Sequence, residues 1–191
     1  MSIYIDFDGT LCLNKLQHYQ AFKEALLQLK VDKPMPVDWF GLTTHQVYES
    51  MGLRFMGITS DEFINLKRKE YKAREQDCLI SIEIVRFLKL LPSTVKVEVF
   101  SNGTGKRIKA FLDNEGLDLK VFSFADIGLS KYNKEHFLRY FNDDISSHKL
   151  IIDDSDTVID LCNLCGFKGI KFDPEKFKAE EAYEIYSSLG R

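Results

Sequence analysis

From residue 82 onward, helical stretches alternate with short β-branched runs, and that alternation restricts the chain to few folds. Ile82, Val85, Leu88 and Leu91 form a helical face that stops at Pro92, and Val95, Val97 and Val99 then form a strand. A helix over 104–115 ends at Gly116, placed as its C-terminal cap. Strand 121–125, helix 134–141, strand 149–153, helix 157–165, strand 169–172 and helix 175–189 follow. A further strand, 2–7, carries Ile3-Tyr4-Ile5 ahead of them. Strands separated by helices predict an α/β fold, a parallel sheet covered on both faces. Right-handed crossovers put every strand's C-terminal end on one edge, where such sheets bind ligands.

Residues 13–78 differ in texture, being helical with almost no strand signal. Leu16, Tyr19, Phe22, Leu26 and Leu29 recur at three- and four-residue steps, predicting one amphipathic helix that Pro34-Met35-Pro36 breaks. A second, weaker segment spans 37–51, and a third opens at Thr59 and Glu62 with capping-box spacing. The chain therefore divides into a core, 1–12 with 79–191, and a small all-helical insertion, 13–78. Its 45% apolar fraction is ample for a buried core, and a net charge of −3 argues against a nucleic-acid partner. No stretch suits a bilayer, and no basic segment leads into an apolar one at the N-terminus. Four cysteines make no disulfide framework at this length. A cytoplasmic protein without membrane or nucleic-acid partners is expected.

The strand ends carry the chemistry. Strand 2–7 runs into Asp6-Phe7-Asp8-Gly9-Thr10, strand 95–100 into Ser101-Asn102-Gly103, and strand 149–152 into Asp153-Asp154. Lys131 lies in the loop after strand 121–125. Two acidic pairs, a hydroxyl and an amine thus converge on one edge.

These residues, in this order, resemble the haloacid dehalogenase superfamily of phosphatases and phosphotransferases. Asp6-Phe7-Asp8-Gly9-Thr10 matches its first motif, Ser101 its second, Lys131 its third, and Asp153-Asp154 its fourth. The resemblance implies a Rossmann-like core with a helical cap at 13–78, and an enzyme that hydrolyses phosphate monoesters with Mg²⁺. Asp6 would be the nucleophile, forming an aspartyl-phosphate, and Asp8 the general acid and base. Asp6, the backbone carbonyl of Asp8, and Asp154 would hold the metal. Ser101 and Lys131 would bind the phosphoryl oxygens, with backbone N–H groups around Asn102 and Gly103 adding anion contacts. Dehalogenases need no acid two residues after the nucleophile, so Asp8 favours phosphoryl transfer from an alcohol. A cap of this size closes over small molecules, which makes a small phosphorylated metabolite the expected substrate.

Several readings stay open at this point. Lys131 precedes Tyr132 rather than the proline usual in the resembling family, so Lys134 is a rival for the phosphate-binding lysine. Val158 and Ile159 stand where a further metal ligand often falls, so Asp153 or Asp156 would replace it. Cys162 and Cys165 read as buried helix positions rather than a redox pair. The basic run Lys67-Arg68-Lys69, with Lys72 and Arg74, reads as a solvated helix face. His18, His45, His136 and His148 lack ligand spacing. A phosphomutase or other phosphotransferase and a 5′-nucleotidase share the core motifs. A non-catalytic binding module would be expected to lack Asp6, Asp8 or the lysine.

Overall fold

A computed structural model describes residues 1–141 and 149–189. His148, to which the sequence assigns no role, lies outside the described residues. In chain order the elements are β1 (Ser2–Ile5), β2 (Cys12–Leu13), α1 (Lys15–Gln28), α2 (Thr44–Ser50), α3 (Ser60–Lys72), β3 (Leu79–Ile80), α4 (Ile82–Leu90) and β4 (Lys96–Ser101). Then come α5 (Gly105–Asn114), β5 (Lys120–Ser123), α6 (Lys134–Phe141), β6 (Lys149–Asp153), α7 (Asp156–Leu164), β7 (Lys168–Lys171) and α8 (Ala179–Leu189). The chain divides into two compact units, Met1–Leu13 with Ile80–Arg191, and Asn14–Leu79.

The first unit is built on a five-stranded sheet in the order β5-β4-β1-β6-β7, every pair parallel. The chain starts in the middle, winds outward to β5, then crosses back to β6 and β7, which is the Rossmann-like pattern. In register, Ile3 stands between Val97 and Leu150, and Ile5 between Val99 and Ile152. Ile3, Ile5, Val99, Leu150 and Ile152 share one face and are fully buried. Tyr4, Phe100 and Ile151, on the other face, join Phe137 and Phe141 of α6 and Val158, Leu161 and Cys162 of α7 in one cluster. Both faces are therefore covered. Cys162 is a core residue, and burial pushes its thiol up, whereas Cys165, expected to be buried with it, is only partly so.

Element boundaries shift where tertiary bonds intervene. The strand expected over 121–125 is Lys120–Ser123, because the Phe124 N–H donates to the Ser101 carbonyl and the chain turns there into a short 3₁₀ segment. The last helix begins at Ala179 rather than 175, since Asp173 engages the N–H groups of Glu175, Lys176 and Phe177 in a turn of its own.

In the second unit α1 and α3 enclose Phe22, Ala25, Leu26, Val47, Leu53 and Phe63. The apolar stripe expected on α1 is narrower than its periodicity suggests, with Leu16 60% exposed. The segment expected over 37–51 splits into a 3₁₀ turn at Trp39–Gly41 and α2, whose start is a full capping box made by Thr43 and Gln46. The basic run is not uniformly solvated. Lys67 is buried, with Nζ 2.7 Å from His18 Nδ1 and over the rings of Phe22 and Tyr71, while Arg68, Lys69 and Lys72 are exposed. No helix among the described residues is long and apolar enough to cross a membrane.

Candidate active site

Asp6 follows β1 directly and is almost fully buried. Its N–H donates to the Ile152 carbonyl, extending the ladder with β6 by one residue. The chain then folds back on itself: the Leu11 N–H donates to the Asp6 carbonyl and the Cys12 N–H to that of Phe7. Gly9, at the bend, has φ +86°, a left-handed conformation open to glycine.

At the end of β4, Ser101 is buried and its Oγ accepts the Gly103 N–H at 2.9 Å. Accepting that bond leaves the hydroxyl hydrogen available to donate to an acceptor. Asn102 Oδ1 accepts the backbone N–H of Lys131 at 2.8 Å, tying the loop after β5 to the end of β4. Asn102 Nδ2 is buried without a hydrogen-bond partner among the described residues, a donor in need of an acceptor.

Lys131 occupies the centre of the site. Its Nζ lies 2.6 Å from Asp6 Oδ1 and donates to Asp153 Oδ2 at 2.7 Å. Asp153 Oδ1 is also engaged, accepting the Ser155 N–H at 2.8 Å. Asp6, Asp153 and Asp154 each bring an oxygen to within 4.8 Å of the others.

Burial pulls the Lys131 ammonium down, but the charges of Asp153 and Asp6 outweigh it and hold the group well above its usual range. The carboxylates move in the opposite sense. Burial, then the Asp153 charge, raise Asp6 well above the ordinary carboxylate range, against the pull of Lys131. Burial raises Asp153 as well, and burial followed by Asp153 pushes Asp154 up to about 6. Three gathered carboxyl groups therefore hold more negative charge than one ammonium offsets. Such a set of hard oxygen donors fits Mg²⁺. Since Asp153 is committed to Lys131 and Ser155, Asp6 and Asp154 are the carboxylates best placed to ligate.

The shift has a consequence for metal-free protein. A carboxyl group raised on folding contributes stability that is complete below its unfolded pKa and lost as pH rises through the folded one. For Asp154 that window runs from the ordinary value near ~4 to about 6. Chelated protein is expected to lose melting temperature across it, relative to an Asp154→Asn variant scanned at the same pH values. Parallel pH profiles for the two proteins would contradict the assignment of charge in this cluster.

The structure thus brings together Asp6, Ser101, Asn102, Lys131, Asp153 and Asp154. Lys134 is exposed on α6, and Asp156 is exposed on α7 and paired with Lys171, so neither joins the cluster. Asp8 places its carboxylate outside the metal-type cluster, where Arg107 Nη2 donates to its Oδ2 at 2.5 Å. Gly103 lies against this pair. Sequence reasoning missed Arg107 and the side chain of Asn102. The signal available for Arg107 was its position in the first turn of the helix that leaves the site's edge.

The chain has the haloacid dehalogenase-like fold. Among solved structures it is similar to a haloacid dehalogenase-like family hydrolase, SP0104 from Streptococcus pneumoniae, at 15% identity and a TM-score of 0.69, covering 97% of this chain and 90% of that one. It is also similar to YfnB from Bacillus subtilis bound to magnesium, at 21% identity and 0.66, covering 96% and 97%. CbbY from Rhodobacter sphaeroides in complex with xylulose-(1,5)bisphosphate matches at 14% identity and 0.64, covering 91% and 87%. No protein-family model matches the sequence, and no curated protein does.

Proposed function

We propose that this protein is a phosphatase of the haloacid dehalogenase type, hydrolysing the phosphate monoester of a small metabolite through Asp6. The observation that carries the reading is Lys131 Nζ held between Asp6 and Asp153, with Asp154 in the same cluster. It places a fixed positive charge beside a buried carboxylate, at the sheet edge where a phosphoryl group would meet both. The fold neighbours support the same chemistry, since one binds magnesium and another a sugar bisphosphate. The helical unit Asn14–Leu79 is the cap in this reading.

A phosphomonoester dianion repels a carboxylate nucleophile; Asp6, Asp154 and the Asp8 carbonyl would hold Mg²⁺, which would supply the neutralising charge. The residues do the rest. An Asp6 oxygen bonds to phosphorus as the bond to the leaving oxygen breaks, and the proton of Asp8 passes to that oxygen. Water then attacks the aspartyl-phosphate while Asp8 takes its proton, freeing inorganic phosphate and restoring Asp6. Lys131 and the Ser101 hydroxyl bind the phosphoryl oxygens, whose charge is the main thing to stabilise. The unsatisfied Asn102 amide adds a third donor.

Phosphate release from a panel of phosphorylated sugars, nucleotides and short-chain acids, with and without Mg²⁺, tests the proposal. EDTA is expected to abolish release, Mg²⁺ to restore it, and Ca²⁺ to fail, because calcium takes more ligands at longer distances. Turnover surviving thorough chelation would remove the metal from the reading. Transfer of the phosphoryl group to a second metabolite without free phosphate would establish a phosphotransferase instead.

A further inference from the structure

The Asp8–Arg107 pair is built more tightly than a surface ion pair. Asp8 and Arg107 side chains are only 25% and 19% exposed. The guanidinium lies over the Phe7 ring, its carbon 5.0 Å from the centroid. Phe7 is itself fixed, buried and edge-on to Phe111, one turn further along α5, at 5.2 Å. The third wall is an absence of atoms. A Cβ at Gly103 would stand 2.5 Å from Arg107 Nη2 and 3.2 Å from Asp8 Oδ2, so the pair occupies the space that glycine leaves. An aromatic face, a bare backbone and a charge-assisted hydrogen bond therefore hold one guanidinium, and through it one carboxylate.

We infer that Arg107 is the positioning residue for Asp8, fixing the rotamer from which that carboxyl group exchanges protons with the leaving oxygen and with water. The inference rests on the reading of Asp8 as general acid and base, and adds to it the group that aims the side chain. Asp8 sits on a turn beside Gly9, where its side chain has more than one staggered rotamer open to it and the bond to Arg107 favours one. Proton transfer needs it within hydrogen-bond reach of the reacting oxygen, and a misplacement of ~1 Å costs on the order of 10²-fold. Arg107 acts through Asp8, so its removal should lower kcat and leave substrate binding nearly intact.

The test compares Arg107→Met, Arg107→Lys, Asp8→Asn and the Asp8→Asn/Arg107→Met double variant. Each is assayed with Mg²⁺ on glycerol 2-phosphate, a poor leaving group, and on 4-nitrophenyl phosphate, a good one. Arg107→Met is expected to lower kcat on glycerol 2-phosphate by about 10- to 100-fold with KM within about threefold, and to cost less on the aryl ester. Arg107→Lys should recover part of the loss, since an ammonium can reach the same oxygen. In the Asp8→Asn background, removing Arg107 should not slow the residual nitrophenol production further. Melting temperatures separate a misfolded variant from a mispositioned carboxylate, and Arg107→Gln replaces any variant that melts early. Additive losses, or a raised KM with kcat unchanged, would overturn the role of Arg107 alone. Equal losses on both esters in Asp8→Asn would overturn the acid–base reading itself, and the positioning role with it.

Discussion

Asp6→Asn is expected to reduce phosphate release by about 10⁴- to 10⁶-fold, the scale on which removal of a covalent nucleophile acts. An amide nitrogen or oxygen is a poor nucleophile toward phosphorus, and a neutral group is a weaker ligand for a divalent cation. The fold should not suffer. Asn matches Asp in shape, and the site already disfavours the carboxylate, through burial and then the charge of Asp153. The metal-free variant should therefore melt at or above the wild-type temperature at neutral pH. Phosphate release, intact-protein mass after exposure to substrate, and a thermal melt check the three parts. A variant that retains turnover, or that becomes phosphorylated at a residue other than position 6, excludes Asp6 as the nucleophile.

Lys131→Met is expected to damage both activity and stability. The ammonium is fully enclosed with two carboxylates, and removing one partner from a buried charge group typically costs about 3–5 kcal/mol. Part of that loss is relieved when Asp6 or Asp153 takes up a proton, so the destabilisation should be larger at pH 8 than at pH 5. Adding Asp153→Asn should restore much of the melting temperature without restoring activity, because it removes the orphaned charge but not the need for a phosphate ligand. Phosphate release should fall by about 10³-fold or more, as when a preorganised stabiliser of transition-state charge is lost. A neutral effect on the melt would show that the triad is not charged as described.

The candidate residues that sequence reasoning placed at one sheet edge are those whose position follows from topology. Asp6, Ser101, Asp153 and Asp154 each end a strand of one parallel sheet, and parallel strands deliver their ends to the same edge whatever the details of packing. Lys131 was harder. Two lysines three residues apart sit before and inside α6, and only the Asn102 bond to the Lys131 backbone and the burial of its side chain distinguish them. Arg107 belongs to a helix whose periodicity marks Ile108 and Leu112 as its core face, and nothing in that pattern announces that a neighbouring position reaches the turn at Asp8. Lys67 shows the same limit from the other side. A charged residue inside a basic run reads as solvated, while its aliphatic stem and aromatic neighbours place it in the interior. The boundaries of β5 and α8 depended on single backbone and side-chain bonds of the kind that no propensity encodes.

The pairing of β1 sets an order of events during synthesis. Ser2 is in register with Lys96 on one side and Lys149 on the other, partners encoded about halfway and about three-quarters of the way along the chain. β1 is therefore synthesised well before either of its partner strands, with an apolar face that only they can cover. The helices of Asn14–Leu79 meet partners much nearer in sequence and can consolidate while β1 is still alone. Asp6 gains Asp153 and Asp154 as neighbours only when β6 arrives, so the charged cluster and the apolar contacts of Leu150, Ile151 and Ile152 that enclose it are delivered by the same strand.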